Sequence, residues 1–265
     1  MSKPKVQVTR EVFDEVLDYL GEHCEVSSNQ DDRPFTPTEL AQALADKQGA
    51  LTVLTDRIDA ALIAHCPQLK AVCNIAVGYN NFDLKAMSAR GVFGTNTPGV
   101  LDAATADFTW ALILATARRL TEAEAWLRAG EWQGWKLKQF LGMDVQGATL
   151  GIVGMGRIGQ AVAKRARGFD MPVLYYNRTR LAPALERECH ARPASLDELL
   201  TQSDIITLHT PYSADSHHLI GAAQLAKMKQ SAILIHAARG GVVDDAALIA
   251  ALRNGTIAAA GLDVF

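Results

Sequence analysis

Residues 151–159 have the sequence Gly-Ile-Val-Gly-Met-Gly-Arg-Ile-Gly, and this motif is the strongest indication of the fold that we predict for the chain. An apolar run, Thr149–Val153, leads into the glycines, and a helical pattern over Ile158–Gly168 follows them. The order G-x-G-x-x-G at such a junction is typical of the first strand, turn and helix of a dinucleotide-binding sheet. A purely structural glycine turn is the alternative, and the register of strand, turn and helix favours dinucleotide binding.

Each glycine of this motif has a mechanical reason. Gly154 allows a tight turn, Gly156 allows a pyrophosphate to approach the backbone, and Gly159 allows the helix to pack closely on the strand. The helix begins near Arg157 and Ile158, where its free N–H groups and positive dipole end attract phosphate. These residues are therefore the first predicted cofactor contacts.

Short β-rich runs alternate with helical patterns on both sides of the motif, which indicates an α/β protein with parallel sheets wrapped by helices. The run Thr97-Pro98-Gly99 interrupts the alternation and is the predicted hinge. We therefore predict two doubly wound parallel-sheet domains, residues 1–99 and residues 100–265. The strands predicted in the first domain are Lys5–Val8, Ala50–Val53, Leu69–Ile75 and Gly91–Thr95, and the helices are Glu11–Glu22 and Thr38–Lys47.

The second domain is predicted to begin with a long apolar helix, Ala103–Leu120, and to continue into an arm over residues 121–146. The arm is rich in aromatic residues, which are enriched in interface cores: Trp126, Trp132, Trp135 and Phe140. Five strands are predicted in this domain: Thr149–Val153, Pro172–Tyr176, Asp204–Leu208, Ala232–His236 and Ala258–Val264. The helices between them are Ile158–Gly168, Ser195–Gln202, Ala222–Met228 and Asp245–Asn254.

The composition excludes several classes of protein. Hydrophobic residues make up 49% of the 265 residues, which excludes wholesale disorder. The 26 basic and 29 acidic side chains leave a net charge of −3, which argues against nucleic acid as a partner. The longest apolar runs are far shorter than a membrane span, and the N-terminus has no apolar signal core. The spacing of the four cysteines indicates reduced thiols in a cytoplasmic protein, and no motif predicts a metal site.

The end of the second strand of the dinucleotide-binding sheet determines the predicted cofactor. An enzyme that uses NAD usually places Asp or Glu there, about 20 residues after the glycines, to bind the ribose 2′-hydroxyl. This chain lacks that carboxylate and has two guanidinium groups nearby, which suit a 2′-phosphate through charge and bidentate geometry. We therefore predict that NADP(H) is preferred to NAD(H); solvated loop arginines are the alternative. The predicted cofactor contacts here are Asn177, Arg178, Thr179 and Arg180.

Three further stretches resemble one enzyme family: Val77–Asp83 (VGYNNFD), Ala237–Asp244 (AARGGVVD) and Ala260–Phe265 (AGLDVF). Together with the glycine motif, and in the same order, they resemble the D-isomer-specific 2-hydroxyacid dehydrogenases over essentially the whole chain. Within that family, the chain is similar to the glyoxylate/hydroxypyruvate reductase and 2-ketogluconate reductase branch. The resemblance implies a flavodoxin-like substrate domain over residues 1–99 and a Rossmann dinucleotide-binding domain over residues 100–265.

The resemblance also implies roles in substrate binding. Val77 and Gly78 match the loop whose backbone N–H groups hold the substrate carboxylate, and glycine allows such close backbone approach. Arg239 matches the arginine that clamps the carboxylate and oxo groups beside the nicotinamide. We predict it as the catalytic residue, because a cation there stabilises the developing alkoxide charge. An ordinary turn and a surface ion-pair arginine are the alternatives.

Further cofactor contacts follow from the same resemblance. Asp263 matches the aspartate that receives the nicotinamide carboxamide, and Thr105 matches a position beside the phosphate or nicotinamide. Pro211 matches the apolar edge of the adenine site. The alternatives are a polar residue at a strand end for Asp263, helix capping or packing for Thr105, and a plain turn proline for Pro211. Three neighbours complete the implied set: Thr210, Ala237 and Ala238.

The family mechanism also needs an acid/base histidine and a glutamate partner. In the family both follow the Gly-Leu-Asp-Val-Phe stretch, and this chain ends at Phe265. None of its seven histidines (23, 65, 190, 209, 217, 218 and 236) has the matching context, and His236 stands where the family usually has asparagine. We therefore expect a C-terminally incomplete chain that binds cofactor better than it turns over substrate.

We predict that the complete enzyme uses NADPH to reduce a small 2-oxoacid, namely glyoxylate, hydroxypyruvate or 2-ketogluconate, to the D-2-hydroxyacid. A non-catalytic dinucleotide-binding module is one alternative, and an NAD-dependent phosphoglycerate-type dehydrogenase is another. The missing glutamate and histidine favour the module, whereas Arg239 and the substrate loop favour the enzyme. A homodimer is expected, in which the 121–146 arm wraps the cofactor domain of the second copy; packing of the arm on its own domain is the alternative.

Overall fold

The structure is a computed structural model that describes residues 2–265. The chain divides into two compact units, Met1–Val100 and Leu101–Phe265. The hinge predicted at Thr97-Pro98-Gly99 lies immediately before the boundary between these units. Each unit contains one parallel sheet with helices between its strands.

The first unit has a five-stranded sheet in the order β2-β1-β3-β4-β5. Its strands are β1 (Lys5–Val8), β2 (Glu25–Ser28), β3 (Gly49–Thr52), β4 (Ala71–Asn74) and β5 (Phe93–Thr95). Its helices are α1 (Asp14–His23), α2 (Pro37–Leu44), α3 (Ala60–His65) and α4 (Leu84–Arg90). This strand order is that of the flavodoxin-like doubly wound fold, so the fold class predicted for this unit is confirmed.

Local sequence explains where the helices of this unit begin. The Glu39 N–H donates to the Thr36 hydroxyl at 3.3 Å, and the Thr36 N–H donates to the Glu39 carboxylate at 2.7 Å. This reciprocal cap, followed by Pro37, starts α2. The carboxylates of Asp59 and Asp83 cap α3 and α4 by accepting one backbone N–H each. The Asp83 cap also fixes the end of the loop that follows β4.

Sequence patterning missed three elements of this unit, namely β2, α3 and α4. β2 has the sequence Glu-Val-Ser-Ser and lies at the sheet edge, so it lacks the apolar pattern of an inner strand. α3 and α4 have six and seven residues, too few for a helical period to stand out. The helix predicted over Glu11–Glu22 begins only at Asp14, because Phe13 has an extended backbone.

The second unit has a six-stranded sheet in the order β8-β7-β6-β9-β10-β11, which is the Rossmann order. Its strands are β6 (Leu150–Val153), β7 (Val173–Tyr176), β8 (Ala191–Pro193), β9 (Ile205–Leu208), β10 (Ile233–His236) and β11 (Ala259–Leu262). The helices before the glycine motif are α5 (Asp102–Ala117) and α6 (Leu120–Arg128). Those after it are α7 (Arg157–Ala166), α8 (Pro183–Cys189), α9 (Leu196–Gln202), α10 (Ala222–Leu225) and α11 (Asp245–Arg253). The predicted Rossmann fold is confirmed.

Three parts of the second unit differ from the prediction, and one of them is helix α8 (Pro183–Cys189), which no predicted helix covers. The sheet has six strands rather than five, because β8 pairs with β7 at the edge. β8 has three residues and includes Arg192 and Pro193, so it carries no strand pattern. The predicted helix Ala103–Leu120 ends at Ala117, and a second helix, α6, occupies the start of the predicted arm, since Arg119 between them has a positive φ of 53° that interrupts α-helical geometry.

Apolar side chains cover both faces of the second sheet. Ile113 of α5 and Val162 of α7 pack on one face, and Leu199 of α9 and Leu248 of α11 pack on the other. Every residue of β6, β9 and β10 is buried, as is typical of a parallel sheet between two helical layers. β6 and β9 are neighbours without being consecutive, so their connections diverge and open a crevice at their carboxyl ends.

Two further observations concern membranes and thiols. Among residues 2–265, no helix combines the length and apolarity needed to cross a membrane. All four cysteines are free thiols. Burial raises the pKa of the Cys66 and Cys189 thiols, which keeps them protonated and unreactive.

Candidate cofactor and substrate sites

A cavity of about 480 Å³ opens at the carboxyl ends of β6, β7 and β9, where a doubly wound sheet binds its ligands. Its walls are the glycine motif, residues 176–179 at the end of β7 and residues 209–219 after β9. The predicted cofactor residues that line it are Gly154, Gly156, Asn177, Arg178, Thr179, Thr210 and Pro211. Sequence reasoning missed six other lining residues: Tyr176, His209, Ser213, Asp215, Ser216 and Leu219.

The glycine motif shapes the cavity through the space that its missing side chains leave. Gly154 has a positive φ of 98°, and an added Cβ would lie 2.7 Å from the backbone that follows β9, so this turn requires glycine. Gly159 lies against the Gly154 carbonyl, which holds α7 close to β6. Gly156 is different, because nothing lies within 4 Å of an added Cβ. This open cradle, beside the unpaired N–H groups of Arg157 and Ile158 at the start of α7, fits a pyrophosphate.

Asn177 supports the glycine motif from the end of β7. The Met155 N–H donates a hydrogen bond to the Asn177 Oδ1 at 2.6 Å. The Gly154 N–H donates another to the Tyr176 carbonyl at 3.0 Å. The backbone of the turn is therefore held by residues of the neighbouring strand end. Because residue 177 is an amide, it adds no negative charge to the cavity wall.

The two arginines after β7 have different surroundings. Arg178 lines the cavity, and its Nη1 lies 3.2 Å from the Asp215 Oδ2. Arg180 instead donates two hydrogen bonds to Glu186, at 2.8 and 2.9 Å, and does not line the cavity. Hydrogen bonds from Arg180 and from the Tyr175 hydroxyl lower the pKa of Glu186 to about 2. The structure thus places Arg178 at the cavity, whereas Arg180 forms an ion pair with Glu186 outside it.

The segment after β9 forms another wall of the cavity. The Thr210 hydroxyl donates to the Val153 carbonyl at 3.2 Å, which ties this wall to the end of β6. Ser216 is buried, and its hydroxyl donates to the Pro211 carbonyl at 2.8 Å. These contacts hold Thr210 and Pro211, two of the predicted cofactor residues, at the cavity.

Two histidines that sequence reasoning left without a role stand at the ends of β9 and β10. The His209 Nε2 lies 3.0 Å from the Thr207 hydroxyl, and its Nδ1 has no partner among residues 2–265. His236 is 2% exposed, and neither of its ring nitrogens has a partner in the described chain. Burial lowers the pKa of both side chains, to about 4 for His209. Both imidazoles are therefore neutral near pH 7.

We expect these histidines to make the fold sensitive to acid. His209 in the unfolded chain takes up a proton near pH 6.5, whereas folded His209 does so only near pH 4. The free energy of unfolding therefore falls as the pH drops through this interval, and the loss for this group between pH 7 and pH 5 is about 2 kcal/mol. Urea unfolding at pH 7 and pH 5 measures the loss. His209→Gln should reduce it, the exposed control His23→Gln should not, and equal losses in both variants would contradict the expectation.

Arg239 follows β10, after the buried residues Ala237 and Ala238. Its Nη1 donates to the Ala238 carbonyl at 2.6 Å, so within residues 2–265 its hydrogen-bond partner is a carbonyl rather than a carboxylate. Burial lowers its pKa, and the charge of Asp263 opposes this shift. A guanidinium that is partly desolvated and bonded only to a neutral group retains donors for an anion.

Eight predicted cofactor residues of this unit do not line the cavity: Thr105, Arg157, Ile158, Gly159, Arg180, Ala237, Ala238 and Asp263. Asp263 follows β11, and its N–H donates to the His236 carbonyl at 2.9 Å. It therefore shares the carboxyl edge of the sheet with Arg239. Thr105 lies near the start of α5, where its carbonyl accepts a hydrogen bond from the Thr109 hydroxyl at 2.8 Å. Its helix packs against α7, which begins at the glycine motif.

In the first unit, the loop after β4 carries Val77 and Gly78. The Asn96 side-chain amide donates to the Val77 carbonyl at 2.7 Å, and the Asn74 side-chain amide donates to the Gly78 carbonyl at 2.8 Å. The backbone N–H groups of Val77 and Gly78 have no acceptor among the described residues. With its carbonyls fixed and its N–H groups free, the loop offers two donors to a carboxylate.

Sequence reasoning missed the asparagines that hold this loop. Asn74 is 1% exposed at the end of β4, and its Nδ2 lies 3.2 Å from the Asn81 Oδ1. Asn81 in turn donates to the Asp56 carbonyl at 2.8 Å, which links the loop to the turn after β3. An asparagine at the end of a buried strand is the signal that could have found this network, because a buried amide requires partners.

Comparison with known proteins extends these observations. Residues 110–265 match the model of the D-isomer-specific 2-hydroxyacid dehydrogenase NAD-binding domain. A glyoxylate reductase of Thermococcus gammatolerans is 48% identical over 99% of this chain and 80% of its own length. The crystal structure of a glyoxylate reductase from Paecilomyes thermophila is 33% identical, with a TM-score of 0.87 over 100% of this chain and 82% of that one. An NADPH-dependent glyoxylate/hydroxypyruvate reductase from Sinorhizobium meliloti, solved with NADP and malonate, is 32% identical, with a TM-score of 0.86 over 100% and 80% of the two chains.

Proposed function

The chain belongs to the D-isomer-specific 2-hydroxyacid dehydrogenases, and from this premise we propose that it reduces a small 2-oxoacid to the D-2-hydroxyacid with NADPH. It is an oxidoreductase that uses a nicotinamide dinucleotide. Glyoxylate is the first substrate we propose, because the Thermococcus and Paecilomyes relatives are glyoxylate reductases. Hydroxypyruvate is the second, because the Sinorhizobium relative also has it in its name, and 2-ketogluconate remains the third.

The observation that carries this proposal is the state of Arg239. Its guanidinium is partly desolvated and bonded to a carbonyl, at the same sheet edge as the glycine motif. A bound nicotinamide would supply the hydride for the carbonyl carbon of a 2-oxoacid, and the alkoxide that forms would take up one proton to give the hydroxyl group of the product. Arg239 would bind the oxo oxygen and stabilise the negative charge that develops on it. This role requires a cation that no carboxylate of the protein has neutralised.

The substrate carboxylate is proposed to bind the free N–H groups of Val77 and Gly78, with residues 1–99 as the substrate domain. The amide groups of Asn74 and Asn96 hold the two carbonyls of this loop, and its N–H groups have no acceptor among the described residues. Neutral donors suit a carboxylate that must leave again as part of the product. The N–H groups of two adjacent residues also match the spacing of two carboxylate oxygens.

We expect NADPH to bind at least tenfold more tightly than NADH, a difference of about 1.4 kcal/mol. Arg178 lines the cavity and would bind the 2′-phosphate, whereas Asn177 offers no carboxylate to a 2′-hydroxyl. Arg178→Asp removes the cation and restores a ribose acceptor, so it should reverse the preference. Titration of both nucleotides by calorimetry measures the two affinities.

A matched control separates this local role of Arg178 from a general effect of charge. Arg192 pairs with Glu198 and does not line the cavity, so Arg192→Asp changes the net charge equally and should leave the NADPH preference unchanged. Equal affinities for NADPH and NADH in the unaltered protein would contradict the proposed preference. An unchanged preference in Arg178→Asp would contradict the assignment of the 2′-phosphate to Arg178.

We also propose that the chain forms a homodimer through the arm at residues 121–146. The Trp126 ring packs against two other aromatic rings. Its centroid lies 6.1 Å from that of Trp132 and 5.5 Å from that of Phe140. Trp135 beside them is 77% exposed, and Leu141 is exposed as well. Such density of exposed aromatic surface is typical of an interface core.

Light scattering at micromolar concentration should therefore give the mass of a dimer. Trp135→Glu places a charge in the proposed interface and should yield monomers with an unchanged fold, since Trp135 is exposed in the single chain. Phe13 is similarly exposed in the first unit, so Phe13→Glu is the control and should remain dimeric. A stable monomer of the unaltered protein would count against this interface.

A further inference from the structure

An ion pair crosses the cofactor cavity between two of its walls. Arg178 comes from the segment after β7, and Asp215 comes from the segment after β9. Their closest charged atoms are 3.2 Å apart, and both side chains are 77% exposed. Among the described residues that line the cavity, these two carry the charges at neutral pH, because His209 is held neutral. The electrostatics of this cavity therefore depend on one cation and one anion in contact.

The position of Asp215 is set by a short, well-bonded turn. Residues 214–216 form one turn of 3-10 helix, and the Ser213 N–H donates to the Ser216 hydroxyl at 2.7 Å. The Ser216 hydroxyl donates in turn to the Pro211 carbonyl at 2.8 Å, and Ser216 itself is buried. The turn thus presents the Asp215 carboxylate to the cavity from a fixed base, although the side chain itself is in solvent.

We propose that Asp215 is a specificity-determining residue that limits the preference for a 2′-phosphate by competing with it for Arg178. The proposal rests on the proposed use of Arg178 for the 2′-phosphate. A phosphate that binds Arg178 must first displace the Asp215 carboxylate from it. A 2′-hydroxyl has no such cost, and the Asp215 carboxylate offers it an acceptor, whereas the amide oxygen of Asn177 already accepts the Met155 N–H. Because the ion pair is exposed, the competition is modest, about threefold to tenfold in affinity.

The test uses two probes that contain neither nicotinamide nor a 2-oxoacid: adenosine 2′,5′-bisphosphate and 5′-AMP. Calorimetry with the full chain should show that Asp215→Asn binds the bisphosphate about threefold to tenfold more tightly. Its affinity for 5′-AMP should stay the same or fall. Asp197→Asn is the control, because it removes the same charge from an exposed pair with Lys227 outside the cavity. It should change neither affinity by more than about twofold.

A second background separates competition for Arg178 from simple repulsion by Asp215. In Arg178→Gln, the further change Asp215→Asn should alter bisphosphate affinity by less than about twofold, because there is no cation left to release. An undiminished gain in that background would overturn the proposal, as would unchanged bisphosphate affinity in Asp215→Asn alone. If the unaltered protein does not prefer the bisphosphate to 5′-AMP, the NADPH preference fails. A gain in Asp215→Asn that depends on Arg178 would still support the competition.

Discussion

Replacing Arg239 by alanine should lower kcat/KM for glyoxylate reduction by about 10²–10³-fold, the usual effect of removing one preorganised donor to a developing oxyanion. Both kcat and KM should change, because the guanidinium is proposed to bind substrate and to stabilise the charge that forms on its oxygen. NADPH affinity should remain within about twofold, because Arg239 does not line the cavity. Steady-state kinetics and nucleotide titration measure the two effects separately.

Two variants test whether this effect is chemical rather than structural. Arg239→Lys keeps the charge but loses the planar fork, so it should retain activity between that of alanine and arginine. Burial lowers the pKa of Arg239, which means that the folded protein does not favour its charge. Arg239→Gln should therefore unfold at the same or a higher temperature while losing activity. Unchanged kcat/KM in Arg239→Ala, or loss of activity only together with loss of the fold, would contradict the catalytic role.

Gly156→Ala should weaken NADPH binding by about 10- to 100-fold without loss of stability. Nothing of the protein lies within 4 Å of the added Cβ, so the free chain accommodates it. The same methyl group would occupy the cradle that fits the pyrophosphate, and a forced contact of this kind costs about 1–3 kcal/mol. Thermal unfolding in the absence of nucleotide, followed by NADPH titration, distinguishes the two effects.

Gly154→Ala is the matched comparison within the same motif. Its positive φ of 98° and the backbone 2.7 Å from an added Cβ predict a loss of about 2 kcal/mol or more in the free energy of unfolding. Gly154→Ala should therefore lower the stability of the fold, whereas Gly156→Ala should lower only the affinity for NADPH. A normal NADPH affinity in Gly156→Ala would contradict the placement of the pyrophosphate.

Much of the fold could be predicted from the sequence because its determinants are local. The nine residues 151–159 are sufficient to predict the strand, turn and helix around Gly154 and Gly156. The buried strands β6, β9 and β10 are predicted by continuous apolar runs in the sequence. The edge strand β8 could not be predicted in this way, since only its pairing with β7 makes it a strand. The break at Arg119 was missed because its neighbours have good helical propensity.

The candidate site shows the same division between local and long-range determinants. The types of residue needed near a dinucleotide could be predicted from the sequence, but the residues with which they form ion pairs and hydrogen bonds could not. Arg178 and Arg180 are equivalent in the sequence, and only the fold brings Asp215 to one and Glu186 to the other. In the same way, the two amides that fix the Val77–Gly78 loop are 19 and 4 residues from the carbonyls they bind. Such contacts depend on packing rather than on motif.

The proposed reduction of a small 2-oxoacid by this chain with NADPH can be followed in one coupled assay of nucleotide and product. Purified protein is mixed with NADPH or NADH, with and without glyoxylate, and nucleotide oxidation and glycolate formation are followed together. We predict glyoxylate-dependent oxidation of NADPH with one glycolate formed per nucleotide, and a kcat/KM at least tenfold above that with NADH. Nucleotide binding without glyoxylate-dependent oxidation of either nucleotide would contradict the claim.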